Sequence, residues 1–374
     1  MKSLVLLVSF FFYSFITQTN QIVESKLSKN NTIQLALLLD TSGSMDGLIE
    51  QAKSQLWKIV NELATSKKDG EKVELYVALY EYGKQSIPAD EGYLRNIVPF
   101  TQDLDLISDE LFKLKTDGGE EYCGKVILSA VNNLQWKKSN DELKIIFIAG
   151  NEPFTQGDVD YKEACKKSVK NGIVVNTIFC GNYDEGVQTM WKEGADISDG
   201  KYMNIDHNAE IVHIEAPQDD EIIKLGQELN KTYIAFGNYG KEKKDLQAEQ
   251  DANSISLSNE VMVQRSVTKS GGHYKNSTWD LVDAKKEGTI KIEELKDEEL
   301  PDEMKKMSVP ERKSYLDKKE KERSQIQDKI NKLNDERSKY VAKKMLENKN
   351  DNTLDAVMIK TIREQAKQKN YKFE

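Results

Sequence analysis

Three oxygen-bearing side chains stand at alternate positions in the segment Asp40-Thr41-Ser42-Gly43-Ser44. A hard divalent cation such as Mg²⁺ or Ca²⁺ is held by several oxygen ligands. In a tight loop, the carboxylate of Asp40 and the hydroxyls of Ser42 and Ser44 can turn toward one point, and Gly43 lets the backbone bend between them. The alternative interpretation is a serine-rich helix cap with Asp40 as a turn former. Capping does not need three oxygens on one side, so the spacing favours a cation site.

The segments around this motif predict a strand followed by a helix. Gln34–Leu39 is a short apolar run between polar boundaries, which is typical of a buried parallel strand. Apolar residues then recur at helical spacing from Leu48 to Leu63. Further apolar runs predict strands near residues 73–80, 94–100, 144–149, 173–180 and 201–206, with helices between most of them. This alternation predicts an α/β fold, with a doubly wound, mainly parallel sheet covered on both faces.

Three polar clusters are expected to meet at one edge of that sheet. The segments Asp40–Ser44, Asp117–Glu121 and Asn151–Glu152 each follow a predicted strand or precede a predicted helix. Ligands of such sheets bind beyond the carboxyl ends of the strands. The sequence therefore predicts a ligand site at this edge.

The D-x-S-x-S motif, with a strand before it and a helix after it, resembles the metal-ion-dependent adhesion site of von Willebrand factor A domains. The resemblance covers residues 32–214 and implies a Rossmann-like fold of that family. It also implies a bound Mg²⁺, Ca²⁺ or Mn²⁺ ion held by Asp40, Ser42 and Ser44. In the family, a carboxylate of a protein partner fills the open coordination position of the ion.

The second loop of the family site usually supplies a threonine after paired glycines. Here Gly118-Gly119 is followed by Glu120-Glu121, and Thr116 precedes the glycines. The resemblance implies that Glu121 or Thr116 is the ligand, and the sequence does not choose between them. Glu120 and Glu121 could equally provide favourable charge at a helix N-terminus.

The third loop of the family site usually supplies an aspartate after the fourth strand. Here the chain reads Ala149-Gly150-Asn151-Glu152-Pro153, and the place of the aspartate falls on Gly150. Asn151 or Glu152 is the expected substitute, either directly or through a water. Mg²⁺ often keeps several waters, so an incomplete protein shell is compatible with binding.

The sequence favours a binding protein over an enzyme. It contains no G-x-S-x-G elbow, no G-x-G-x-x-G after a strand and no P-loop lysine. We expect a metal-ion-dependent binding or adhesion module that engages a protein. The alternative is a structural scaffold with a weakened metal site and a helical interaction tail. The formal net charge of −9 argues against a nucleic-acid partner.

The start of the chain predicts export. Residues 4–16 are almost wholly apolar and follow Lys2. This run has the length of a signal-peptide core and is shorter than the ~18–20 residues that span a bilayer. We expect residues 1–20 to be a cleaved signal peptide and the protein to be periplasmic, secreted or at the cell surface. An uncleaved anchor is the alternative, and membrane contact is expected only through such an anchor or through a partner.

Three cysteines are present, and two of them can form a disulfide in an exported protein. Cys180 ends a predicted strand and Cys123 lies in the second loop at the same edge, so a Cys123–Cys180 bridge is expected to be feasible. Cys165 lies within a predicted helix, where a buried free thiol is expected. A Cys165–Cys180 bridge and three free thiols remain open.

The pattern changes after residue 214. We expect residues 215–284 to form a small α+β or irregular extension and residues 285–374 to form a charged helical tail. A thin apolar stripe runs along that tail at Ile326, Ile330, Leu333 and Tyr340. With so few apolar anchors, the tail is expected to add little to the stability of the first domain and to act as a spacer or docking arm. The alternative is a helix packed onto the first domain through this stripe.

Overall fold

The central strand of the fold is Thr32–Asp40, and all nine of its residues are buried. The structure is a computed structural model that describes residues 31–208, 213–345 and 353–373. Its strands are β1 (Thr32–Asp40), β2 (Ser66–Lys68), β3 (Glu71–Lys72), β4 (Glu74–Tyr82), β5 (Leu94–Thr101), β6 (Leu143–Gly150), β7 (Val174–Cys180), β8 (Tyr202–Ile205) and β9 (Tyr371–Phe373). A strand buried along its whole length needs helices on both faces of its sheet.

Helices supply that cover and also form a separate layer. They are α1 (Asp46–Ala64), α2 (Leu104–Lys113), α3 (Cys123–Asn133), α4 (Tyr161–Lys170), α5 (Tyr183–Gln188), α6 (Trp191–Ile197), α7 (Asp219–Asn230), α8 (Gly240–Leu257), α9 (Asn259–Ser270), α10 (Leu281–Glu287), α11 (Asp302–Lys305), α12 (Val309–Met345) and α13 (Leu354–Gln368). None of the helices described is long and apolar enough to cross a membrane. The predicted signal peptide lies outside the described residues.

The main sheet has six strands in the order β5-β4-β1-β6-β7-β8. In this spatial order, each neighbouring pair from β4 through β1, β6 and β7 to β8 is parallel, whereas β5 pairs antiparallel with β4. Alternate residues of β1 enter different apolar cores: Leu37 belongs to the core that contains Trp57 of α1, and Leu38 belongs to the core that contains Ile127 of α3. The predicted fold class is therefore confirmed, namely a doubly wound, mainly parallel α/β sheet with a helical C-terminal region.

Residues 215–284 are helical, which differs from the α+β or irregular extension expected from sequence. Within the described part of this segment, β pairing is limited to one bridge between Ala235 and Asp280. Helix α8 buries Gln247, Gln250 and Ser254. Because these buried positions are polar, the inner face of α8 carries no apolar periodicity from which a helix could be predicted.

Helix α12 packs against the helical layer formed by α7, α9 and α10. Ile326 and Ile330 of the apolar stripe are buried there, in a core shared with α7 and α9, so α12 is more than the weakly anchored tail expected from sequence. The stripe is supplemented by buried arginines: Arg323 lies 2.6 Å from a carboxylate oxygen of Asp280, and Arg337 lies 2.6 Å from one of Asp219. Charged residues thus serve as anchors of this helix.

The end of the chain returns to the first domain. Leu354, Met358 and Ile362 of α13 lie in the same apolar core as α1 and β1. Strand β9 pairs antiparallel with β2, which follows α1. The described residues from position 31 onward belong to one compact unit, so the boundaries expected at residues 214 and 284 do not separate independent bodies among them. The physical reason is that residues 354–373 bury apolar side chains against elements far away in sequence.

Candidate metal centre

Asp40 lies at the carboxyl end of β1, between the ends of β4 and β6, and its side chain is fully buried. The backbone N–H of Ser42 donates to Asp40 Oδ1 over 2.7 Å. Oδ2 is buried without a hydrogen-bond partner in the structure. Burial raises the pKa of Asp40 to about 7. A buried carboxylate oxygen without a donor is costly unless a cation or a proton compensates it.

The two serines of the first loop face each other and the third loop. Ser42 Oγ and Ser44 Oγ are 3.5 Å apart, and the side-chain amide of Asn151 donates to Ser44 Oγ over 3.1 Å. The other side-chain atom of Asn151, Oδ1, is buried and accepts no hydrogen bond. Asn151 therefore contacts the first loop and leaves one acceptor oxygen unused.

Glu121 brings a second carboxylate to this place. Its side chain is buried, and its backbone N–H donates to Gln156 Oε1 over 2.6 Å. Burial, followed by the charges of Asp40 and Glu152, raises the pKa of Glu121 to about 8. Two neighbouring buried carboxyl groups with raised pKa values are a chemical fit for a divalent cation, which would stabilise both in the charged form.

Gly83 shows how closely the two carboxyl groups approach. Its φ is +82°, and a Cβ added there would lie 2.7 Å from Asp40 Oδ1 and 2.9 Å from Glu121 Cγ. Only glycine combines this backbone conformation with so little space. Gly83 directly follows β4, and sequence reasoning overlooked it, although a glycine at the end of a buried strand was a usable signal.

Thr116, the other residue considered for the second loop, makes a different contact. Its hydroxyl donates a hydrogen bond to Asp46 in the first turn of α1. Glu121, by contrast, lies within electrostatic range of Asp40. Of the two residues that the sequence left open, the geometry favours Glu121 as the neighbour of Asp40.

The absence of an aspartate from the third loop has a steric explanation. A Cβ at Gly150 would lie 2.5 Å from Tyr82 Oη and 2.9 Å from Asp40 Oδ2. Tyr82 is fully buried and donates to the carbonyl of Ala149 over 2.9 Å. The tyrosine ring thus occupies the space that a side chain at position 150 would need, and Tyr82 is a residue of the site that sequence reasoning missed.

The arrangement suits a cation with mixed oxygen ligands. Within residues 31–208, 213–345 and 353–373, no three His, Cys, Asp or Glu side chains are grouped so that they could hold a metal ion. A cation at Asp40 would therefore rely on hydroxyl, amide and water oxygens besides Asp40 and Glu121. The unpaired oxygens of Asp40 and Asn151 are consistent with that donor set.

All three cysteines are buried free thiols in the structure, so the Cys123–Cys180 bridge is not formed. Cys180 belongs to the apolar core on the α1 side of the sheet, whereas Cys123 and Cys165 belong to the core on the α3 side. The sheet lies between these two cores. The thiol of Cys123 is instead 3.9 Å from Tyr82 Oη.

A serine, a histidine and a glutamate come together elsewhere in the fold. Ser258 Oγ lies 3.2 Å and Glu260 Oε2 lies 3.3 Å from the same ring nitrogen, Nδ1 of His213. A catalytic relay needs the nucleophile and the orienting carboxylate on opposite ring nitrogens. Ser258 is also the N-cap of α9 and accepts from Val261 N, so this group is read as helix capping.

Comparisons with known proteins match the first domain. The family profile of the von Willebrand factor type A domain matches residues 34–212. No curated protein sequence matches the chain.

Several solved structures are similar to a little less than half of the chain. An aerotolerance-related membrane protein from Bacteroides fragilis NCTC 9343 is 17% identical and has a TM-score of 0.33, with 46% of this chain and 92% of that chain covered. The conserved hypothetical protein BatB from Bacteroides thetaiotaomicron is 17% identical, with a TM-score of 0.36 and coverages of 46% and 90%. The pilus adhesin SpaC from Lactobacillus rhamnosus GG is 12% identical, with a TM-score of 0.35 and coverages of 47% and 28%. These TM-scores are too low for the similarities to support an inference about function.

Proposed function

Because residues 34–212 are a von Willebrand factor type A domain, we propose that this chain is an exported binding module that engages a protein partner through a divalent cation at Asp40. Domains of this type commonly mediate protein–protein interaction or adhesion. The observation that carries the proposal is the fully buried Asp40 carboxylate, whose Oδ2 has no hydrogen-bond partner at the carboxyl edge of the sheet.

Asp40, Ser42, Ser44 and Glu121 are the residues that we propose to hold the ion, with Asn151 as a further oxygen donor. The ion would supply a Lewis-acidic position that accepts an oxygen from outside the protein. Mg²⁺ is the proposed occupant, with Ca²⁺ or Mn²⁺ as alternatives that carboxylate and hydroxyl oxygens also suit. We propose that the partner supplies a carboxylate to it.

Export is the proposed route to that partner. It is supported by the short apolar run of residues 4–16 after Lys2, which has the length and flanks of a signal-peptide core. The proposed location is the periplasm, the medium or the cell surface.

The test of the site is calorimetric titration of the EDTA-treated protein with Mg²⁺, Ca²⁺ and Mn²⁺. We expect saturable one-site binding and a rise in Tm with cation concentration, since a ligand that binds only the folded state stabilises it by about 2.7 kcal/mol at a hundred times its Kd. Asp40→Asn, which preserves the shape of the side chain, should abolish both effects. Equal cation responses of Asp40→Asn and the unchanged protein would contradict the site.

A structural scaffold with a weakened metal site is the second candidate. It is favoured by one observation: the third loop has Gly150 where the family usually has an aspartate, and Tyr82 leaves no room for a side chain there. In that case the helical layer would carry the interaction. A partner captured from the native host separates the two functions, because EDTA releases it from a cation-dependent site and leaves it bound to a scaffold.

A further inference from the structure

The loops that surround Asp40 carry an uneven set of charges. Residues 41–46, 114–122 and 151–160 expose six carboxylates and a single ammonium group, that of Lys115. We name these carboxylates the acidic rim: Asp46, Asp117, Glu120, Glu152, Asp158 and Asp160.

Contacts within the described structure hold several rim residues next to the metal centre. The backbone N–H of Asp117 donates to the carbonyl of Thr41 over 2.9 Å, so the second loop is fixed beside the first. Glu120 precedes the buried Glu121, and the charge of Glu152 acts on both Asp40 and Glu121.

Nearby cations do little to offset this charge. Lys84 lies 3.6 Å from the buried Glu81 and forms an ion pair with that carboxylate. Lys125 lies 3.8 Å from Asp158 of the rim and also sits over the ring of Tyr122, 5.9 Å from its centroid. Lys125 can neutralise one rim carboxylate, which leaves the majority unmatched.

A bound metal ion would not change this balance. The two buried carboxylates of Asp40 and Glu121 already match the charge of a divalent cation. The acidic rim would then remain as a negative field around the open position of the ion. The buried, unpaired Oδ2 of Asp40 separately indicates that a ligand belongs at the centre of this ring.

The partner must therefore carry positive charge where it meets the rim. A purely acidic segment would bring its carboxylate to the ion against several like charges, and such juxtapositions cost several kcal/mol. Lysine or arginine side chains on either side of the acidic residue would turn this repulsion into attraction and speed the encounter.

We propose that the acidic rim selects a protein segment in which one acidic side chain is framed by lysines or arginines. This inference rests on the proposed function, because the acidic side chain is the one that reaches the ion. It adds the chemistry of the flanking residues, which the metal centre alone does not specify.

Labelled peptides of three designs test it by fluorescence anisotropy on the full-length, cation-loaded protein. The first peptide has a central aspartate between two lysine pairs, the second has glutamates in place of the lysines, and the third has the lysines but a central asparagine. We expect the first peptide to bind about ten-fold or more tightly than the second at low salt, with the difference shrinking as salt screens the rim.

Matched variants assign the preference to the rim. The rim variant Asp117→Asn/Glu120→Gln/Asp158→Asn removes three negative charges and leaves the proposed ligands intact. The control Asp328→Asn/Asp335→Asn/Glu336→Gln removes three exposed charges from α12. We expect the rim variant to reduce the preference to about three-fold or less and the control to retain it.

The outcomes separate the two proposals. Equal binding of the lysine and glutamate peptides, no binding of either, or an unchanged preference in the rim variant would overturn the inference about the rim. If the asparagine peptide bound as tightly as the aspartate peptide, the carboxylate contact of the proposed function would fail instead. Calorimetry of the rim variant should show that cation binding itself is retained.

Discussion

Asp40 and Glu121 meet across Gly83, where an added Cβ would lie within 3 Å of atoms from both side chains. Asp40 ends β1 and Glu121 precedes α3, so the parallel sheet and the loop before α3 bring together residues that are distant in sequence. Burial raises the pKa of both carboxyl groups, and the charge of Asp40 raises that of Glu121 further. This relationship motivates the first prediction.

Glu121→Gln and Thr116→Val should differ in their effect on cation binding. The glutamine variant removes one of two buried carboxylates, and we expect its cation affinity to fall by about ten-fold or more. The valine variant removes a hydroxyl that contacts Asp46, and we expect its affinity to change by less than about two-fold. In EDTA at neutral pH, Glu121→Gln should have a higher Tm than the unchanged protein. The raised pKa of Glu121 makes folding costly at this pH, because the folded state must either protonate this carboxyl or bury its charge. Calorimetric titration and thermal melts measure both effects, and a larger loss in Thr116→Val would reverse the choice between these residues.

Gly83→Ala and Gly70→Ala form a matched pair for the steric argument. Both glycines have φ of +82°, but a Cβ at Gly70 would meet no atom within 4 Å. Gly70→Ala should therefore lower the free energy of unfolding only by the ~1–2 kcal/mol that a left-handed backbone conformation costs a residue with a Cβ. Gly83→Ala adds overpacking against Asp40 and Glu121, for a total of about 2–5 kcal/mol. Urea unfolding in EDTA measures the two free energies, and similar values would show that the space around Gly83 relaxes freely.

Ile362→Ala should destabilise the first domain although Ile362 lies near the end of the chain. Its side chain is 1% exposed in the core that includes α1 and β1. Loss of a buried isoleucine costs about 2–5 kcal/mol, so we expect a clear drop in the urea midpoint. Lys360→Ala on the exposed side of the same helix is the control and should change the free energy of unfolding by less than about 0.5 kcal/mol. An Ile362→Ala variant as stable as this control would restore the view of the C-terminal segment as an independent tail.

His273 should make stability depend on pH in the weakly acidic range. Burial, assisted by the charges of Lys275 and Lys72, lowers the pKa of His273 from 6.5 to about 4. Below about pH 6.5 the unfolded chain binds a proton at this histidine that the folded protein does not bind. The contribution of His273 to stability is therefore constant above about pH 6.5 and falls as pH drops toward 4. At pH 5 the loss is at most about 2 kcal/mol. His273→Gln lacks this group.

Urea unfolding of both proteins at pH 7.5 and pH 5 measures the effect. The unchanged protein should lose more stability than His273→Gln between these two values. Parallel losses would mean that other groups account for the acid sensitivity.

Several elements of the fold were predictable because their signals are local. The buried run Gln34–Leu39, the motif that follows it and the amphipathic helix after the motif lie within one short stretch of sequence. Hydrophobic periodicity reports which side of an element faces a core, and alternation of strands and helices implies a parallel sheet. These signals were sufficient for the α/β fold and for the expectation that Asp40, Ser42, Ser44 and Asn151 lie near one edge.

The helical layer was less predictable because its burial relies on polar side chains. Gln247 and Gln250 of α8 are buried with hydrogen-bond partners on other segments of the chain, and Arg323 and Arg337 anchor α12 through buried carboxylates. A sequence scan counts such residues as exposed, since it does not contain the partner that makes their burial favourable.

The sequence by itself determined that an α/β domain would present Asp40 at the carboxyl end of a buried strand, because strand burial and loop position follow from local pattern. Only the tertiary structure decided that Glu121 lies against Asp40 while Thr116 turns to Asp46, that Tyr82 fills the space beside Gly150, and that α13 completes the first core. Each of these outcomes depends on contacts between segments far apart in the chain. The free energy of such a contact depends on the space and the charges around it, and these are set only when the neighbouring segments have folded.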